Sequence, residues 1–232
     1  MIPPHHPTFP NSNGRCRIVL TGGPGGGKTT AADLFRREIG DRVVVVPEAA
    51  TMLFSGGFPR VANDLAARAA QSAIFQVQRG LEDIQAATFP GRILLCDRGT
   101  IDGAAYWPGT PSEFFEAQGT TVETELARYD AVIFFETAAA AGLSIEGGNP
   151  TRIEDLNTAR ALDAKLKGIW KAHPRFVFVP HNPSFFKKIT FGLATIESIV
   201  AQLAAEHRIA ASANEPARSV PPEGSGEPHV DS

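Results

Sequence analysis

The chain alternates short runs of apolar and β-branched residues with longer stretches whose apolar positions recur every three or four residues. That alternation predicts an α/β fold with a parallel sheet. Five strands are expected, at Arg17–Thr21, Val43–Val46, Ile93–Cys96, Ala131–Phe135 and Phe176–Val179. Val43–Val46 is apolar throughout, the pattern of a strand buried on both faces. A helix opening near Thr29 carries Ala31, Leu34, Phe35 and Ile39 on one side. A long helix over 64–87 carries Ala70, Ile74, Val77, Leu81 and Ile84 as its apolar stripe. Shorter helical pieces are expected around 101–106 and 112–127. A Gly- and Ala-rich connection over 137–150 leads to a helix near 154–172, with Thr151 and Glu154 in capping-box spacing. Its apolar side is Leu156, Ala159, Leu162, Leu166, Ile169 and Trp170. The last helix starts near Asn182-Pro183, a cap and first-turn pair, and buries Ile189, Leu193, Ile196, Val200 and Leu203. After His207 the periodicity stops.

Composition sharpens the outline at the ends. Eight of the 18 prolines lie in residues 1–10 and 216–228. This predicts a disordered arm over 1–15 and a disordered tail over 208–232 around one domain at 16–207, with a lid at about 137–155. A 43% hydrophobic share supplies one core for that length. No apolar stretch approaches the ~20 residues of a membrane span, and residues 1–13 lack the apolar centre of a secretory signal. A cytoplasmic protein is expected, as monomer or homodimer. The net charge of −3 argues against a general nucleic-acid binder. Cys16 and Cys96 sit at and within apolar runs, which predicts buried thiols in a reducing compartment.

Of only six lysines, five fall between 165 and 188; the sixth, Lys28, stands alone in the N-terminal half. It closes Gly22-Gly23-Pro24-Gly25-Gly26-Gly27-Lys28-Thr29, which fits G-x-x-x-x-G-K-[ST] without mismatch, between a predicted strand and a predicted helix. Glycines let the backbone curl so that successive N–H groups, ending with that of Thr30, face phosphate oxygens. The helix N-terminus adds partial positive charge. Lys28 is expected at the β- and γ-phosphates of ATP, with GTP the alternative, and the Thr29 hydroxyl at Mg²⁺.

In an open parallel sheet, ligands lie beyond the carboxyl ends of the strands. Glu48 follows the second strand and Asp97 ends the third, so both are expected to face this loop. Asp97 is the stronger candidate for the Mg²⁺-linked carboxylate and Glu48 for the acceptor of a substrate proton; spacing alone does not separate the two roles. The run Asp97-Arg98-Gly99-Thr100-Ile101-Asp102-Gly103-Ala104-Ala105-Tyr106 is similar to the D-R-x-x-x-[SD]-x-x-A-Y run of thymidylate-kinase-like and deoxynucleoside-kinase-like enzymes. The resemblance implies acceptor contacts from Arg98 and Asp102, with Tyr106 in the same run; an ion pair organising the sheet edge is the alternative. Asn149–Glu154 sits where such kinases carry a lid, and Arg152, with Arg160 second, is the candidate cation for charge developing on the transferred group. Gly57-Phe58-Pro59-Arg60 is similar to an adenylate-kinase segment, but it follows the second strand instead of the third and reads as a loop.

Together with Pro47-Glu48-Ala49-Ala50, Ala161-Leu162-Asp163, Trp170, His173-Pro174, Asn182 and Lys187-Lys188-Ile189, these motifs resemble an AAA-type ATPase/kinase-like family over about 17–200. That family includes the ribosylnicotinamide-kinase domain of the NAD-biosynthesis regulator and the insect TRPL translocation defect protein. The resemblance implies a three-layer P-loop NTPase with a five-stranded parallel sheet and a lid, akin to nucleoside and nucleotide kinases. It also implies base contact by the turn holding Asn182. Two functions are open: transfer of the ATP γ-phosphate to a hydroxyl or phosphate of a small nucleoside-like acceptor, or a regulatory ATP/GTP-binding switch. No N-K-x-D guanine motif occurs, and too little chain follows residue 183 for the helical domain of a mechanical ATPase. Acceptor walls are expected from 49–75 and 99–120, where Phe54, Phe58, Tyr106, Trp107 and Phe114 could stack on a ring or fill the core.

Overall fold

A computed structural model describes residues 16–60, 63–141 and 155–213. The arm over 1–15, the tail beyond 213, and Thr151, Arg152 and Glu154 lie outside the described residues. The five strands are β1 (Cys16–Thr21), β2 (Val43–Val46), β3 (Ile93–Asp97), β4 (Ala131–Phe135) and β5 (Phe176–Val179). They form one parallel sheet in the order β2-β3-β1-β4-β5. The central strand β1 carries the glycine loop, and its register sets Leu20 beside Asp97 and Thr21 beside Phe134. β2 is an edge strand, so Val44 and Val45 are only half-buried and the expectation of burial on both faces is corrected.

Alternation along the strands sorts their side chains into two cores. Ile18, Leu20, Leu95, Ile133 and Phe135 meet α1 (Lys28–Ile39) and α8 (Phe185–Ala213) on one face. Val19, Leu94, Cys96, Val132 and Phe134 meet α3 (Asp64–Thr88), α4 (Gly103–Tyr106), α5 (Pro111–Ala117) and α7 (Leu156–Trp170) on the other. The result is a three-layer sandwich. Both cysteines are buried and unpaired, and burial pushes both thiols well up, so they pack as inert apolar groups.

Three helix boundaries differ from the pattern. The stretch 112–127 is broken into α5 and α6 (Val122–Leu126), because Thr110 and Thr121 each cap a fresh start and Gly119 turns the chain with φ 66°. The helix expected near 154–172 is described from Leu156, where Asp155 accepts from the Thr158 N–H at 2.7 Å. α8 starts at Phe185, with the Lys187 N–H meeting the Ser184 hydroxyl at 3.4 Å, and runs past His207 to Ala213.

The buried face of α3 is the larger correction. Ile84 is exposed, while Phe75, Gln78, Glu82 and Ala86 point inward. Glu82 accepts from the Tyr129 hydroxyl and from Arg128, each at 2.8 Å, and lies 3.4 Å from Arg17. These partners offset the burial of Glu82, since an inward carboxylate left unpaired would cost several kcal/mol, while Phe75 and Ala86 on the same face join the apolar core.

Candidate functional site

The glycine loop joins β1 to α1 in a conformation that needs its glycines. Gly22, Gly25 and Gly27 have φ of 133°, 79° and 81°, and a Cβ on Gly22 would stand 2.1 Å from the Phe135 carbonyl oxygen. Lys28 is buried and donates to the Gly23 carbonyl at 2.8 Å. Burial, then the neighbouring Arg98, pull its ammonium down to about 7 against the opposing pull of Asp97, Glu48 and Asp102. Thr29 and Thr30 are exposed at the mouth of the loop.

The loop is gripped from outside. Asp163 on α7 accepts from the Gly23 N–H at 2.8 Å and the Thr137 N–H at 3.1 Å. The Thr137 hydroxyl donates to the Pro24 carbonyl. Lys188, buried in the first turn of α8, donates to the carbonyls of Gly26 at 2.8 Å and Glu136 at 2.7 Å.

Asp97 leaves β3 directly beside the loop, and its Oδ2 accepts from the Thr29 hydroxyl at 2.7 Å. Its Oδ1 is buried without a hydrogen-bond partner among the described residues. Burial, then Glu48, raise its pKa, while Thr29, Lys28 and Arg98 oppose them. A spare carboxylate oxygen beside a threonine hydroxyl fits Mg²⁺, an ion that takes few protein oxygens and keeps several waters.

Glu48 stands beyond β2. Its Oε1 meets Arg98 Nε at 2.5 Å and its Oε2 accepts from the Thr51 hydroxyl at 2.6 Å. Burial alone would raise the Glu48 carboxyl, but Arg98, Thr51 and Lys28 together hold it below the ordinary carboxylate range. Arg98 has φ 71°, a left-handed backbone that costs a non-glycine residue roughly 1–2 kcal/mol. The cost is met by pairing, since its N–H donates to Leu20 at 3.0 Å and its guanidinium reaches Asp102 at 2.9 Å. Asp102, 4% exposed, also accepts from the Thr21 hydroxyl at 2.9 Å and Trp170 Nε1 at 2.7 Å. The guanidinium carbon lies 5.7 Å from the Tyr106 ring centroid.

A glycine-curled loop on the central strand, a threonine–aspartate pair beside it and two flanking helical layers are the parts of a phosphate-binding site. A family model described as an AAA domain matches residues 17–185. The chain belongs to that AAA-domain family. No curated protein matched the chain in sequence. It is a nucleotide-binding P-loop protein of NTPase or kinase-like type.

Within this AAA domain, Gly22 to Thr30, Glu48, Asp97, Arg98 and Tyr106 converge at the carboxyl ends of β1, β2 and β3. Asp102 sits behind Arg98, held by the end of β1 and by α7, and it organises the site instead of facing outward. Asn182 lies between β5 and α8 with its Oδ1 on the Ser184 N–H at 2.9 Å. Arg160 donates to the Ala139 carbonyl, next to the loop-gripping Thr137. Trp107 and Phe114 are core residues, whereas Phe58 is exposed and Phe54 carries Arg60 4.1 Å over its ring. His173 is buried against the Tyr129 carbonyl at 2.9 Å and belongs to the frame.

Four contributors had no assigned role in the pattern: Gln78, Thr137, Asp163 and Lys188. Gln78 accepts from the Ala49 N–H and donates to the Arg98 carbonyl, each at 3.3 Å, and so ties Glu48 to Arg98. The signal available in sequence was a polar residue on an otherwise apolar helix face, as with Asp163 between Leu162 and Leu166.

Proposed function

We propose that this AAA domain is a small-molecule kinase that transfers the γ-phosphoryl group of ATP to a hydroxyl of a nucleoside-like acceptor. The observation that carries the reading is the pairing of Glu48 and Arg98 beside the loop, with Asp102 behind them. A carboxylate held ionised at that place can take the proton of an attacking hydroxyl. Arg98 is neutralised by two carboxylates, so it offers no spare cation to an acceptor phosphate. That balance favours a neutral hydroxyl over the phosphate of a nucleotide.

In the proposed step the hydroxyl oxygen bonds to the γ-phosphorus as the bond to the bridging oxygen of ADP breaks, and the hydroxyl proton passes to Glu48. The loop N–H groups and Lys28 hold the phosphates and offset developing charge. Mg²⁺, held by Thr29 and through Asp97, adds charge neutralisation when bound. Arg152, with Arg160 second, is the proposed cation on the lid side. The family members named by resemblance, one a ribosylnicotinamide kinase, agree with an acceptor that joins a sugar to a ring. Phe54, Phe58 and Tyr106 are available to flank it.

The test is ADP formation from MgATP across a panel of nucleosides and other hydroxyl-bearing metabolites. Acceptor-dependent turnover is expected for at least one nucleoside-like compound. Tight ATP or GTP binding with no acceptor-stimulated turnover would replace the kinase with a nucleotide-dependent switch.

A further inference from the structure

The peptide groups of the phosphate loop are held in alternate directions. A trans peptide is planar, and its C=O and N–H point in opposite directions within that plane. The Pro24 carbonyl is bound by the Thr137 hydroxyl, and the Gly26 carbonyl by Lys188 Nζ at 2.8 Å. Both donors stand on the wall formed by the exit of β4 and the first turn of α8. With those carbonyls fixed against the wall, the N–H groups of Gly25 and Gly27 must face the other way, into the hollow. Among the described residues, neither N–H has a protein acceptor, whereas the Gly26 N–H is used within the loop, on the Gly23 carbonyl at 3.3 Å.

Lys188 is an unusual choice for such a task. A buried lysine normally finds a carboxylate, yet this one spends two donors on the carbonyls of Gly26 and Glu136. An ammonium on a carbonyl is a charge-assisted bond, stronger than a neutral one. Phe185, one turn earlier on α8, closes the same side: a Cβ on Gly27 would stand 2.7 Å from its ring. Without these contacts the glycine-rich loop would have many conformations to lose when a nucleotide bound, since glycine surrenders the most backbone freedom.

We infer that Lys188 is a positioning residue for nucleotide binding, fixing the Gly26 carbonyl on α8 so that the Gly27 N–H already faces the phosphates. The inference rests on the phosphate-loop reading and not on any acceptor.

The experiment is calorimetric titration of the full chain with MgADP and MgATP at a temperature well below unfolding. Lys188→Met is expected to weaken both nucleotides about tenfold and by equal factors, because a loop set in advance serves either. Lys188→Arg, which keeps a charged donor, should return affinity to within about threefold of the parent. The Gly27 amide resonance of the nucleotide-free protein should shift in Lys188→Met and return in Lys188→Arg, a readout that loss of stability alone does not produce. Lys187→Met, at an exposed neighbouring site, should bind like the parent. A folded Lys188→Met protein that binds both nucleotides within twofold of the parent overturns the inference. Should that variant not fold, Lys188→Gln, whose amide stops short of the Gly26 carbonyl, is judged by the same twofold criterion. Lys28→Ala separates the two readings: lost binding there, with unchanged binding in Lys188→Met, spares the phosphate loop and removes this role.

Discussion

The nucleotide half of the site and the half proposed for an acceptor stand on neighbouring strand ends and are made of different material. The first is backbone: eight consecutive residues, five of them glycine, curl between β1 and α1. The second is side chain: Glu48, Gln78 and the Arg98–Asp102 pair come from three places in the sequence and meet through hydrogen bonds, two of them between charged groups. A backbone cradle tolerates little beyond glycine, because a Cβ has nowhere to go. A side-chain cluster can be rebuilt one residue at a time, so acceptor choice can change in this half while the cradle stays as it is.

That division predicts separable failures. The largest effect is expected from Glu48→Gln, which should lower acceptor phosphorylation about 10²–10⁴-fold and leave MgATP affinity within twofold; equal loss of both would show the halves to be one unit. Lys28→Ala should lower turnover roughly 10²–10³-fold and weaken nucleotide binding, with the urea midpoint held or raised, since the removed ammonium was buried. Asp102→Asn turns an amide toward Arg98 and should cost about 3 kcal/mol of stability in urea unfolding. A change in acceptor KM without that cost would place Asp102 on the substrate instead.

The smallest effect is a pH slope from the wall of the cradle. Burial brings Lys188 down to about 8 from an ordinary 10.5, against the pull of Asp163 and Glu136. Between those values the unfolded chain holds the extra proton, so this group makes stability rise with pH. The stability difference between the parent and Lys188→Met should therefore climb from pH 8 to 10, by on the order of 2 kcal/mol. A flat difference would show that the ammonium is solvated in solution.

The same division decides what could be read in advance. All five strands and the phosphate loop follow from local pattern, and the strand lengths are correct to within a residue. Asp97 was identifiable because it ends an apolar strand beside the loop. The rotation of α3 was not, because Gln78 and Glu82 face inward for partners lying 20 to 50 residues away. Apolar periodicity put Ile84 inside, where the structure has it exposed. Asp102 and Lys188 show the same limit: their type suggests a surface or a substrate contact, and only the fold supplies Trp170 or Gly26 as partner. The last helix starts later than the Asn182-Pro183 pair suggests, because the Ser184 hydroxyl meets the Lys187 N–H inside its first turn.

The strand order carries one more consequence. With β1 in the middle, the proposed acceptor residues Glu48 and Arg98 follow β2 and β3 on one flank, while Thr137, Asp163 and Lys188 close the flank of β4. In the proposed reaction the phosphate chain lies over β1, with nucleotide and acceptor on opposite sides of that strand. A molecule tethering both would have to cross from the exit of β3 to that of β4, two inter-strand spacings or roughly 10 Å. The sheet thus serves as a ruler, and a graded series of tethers between adenosine and an acceptor would measure it.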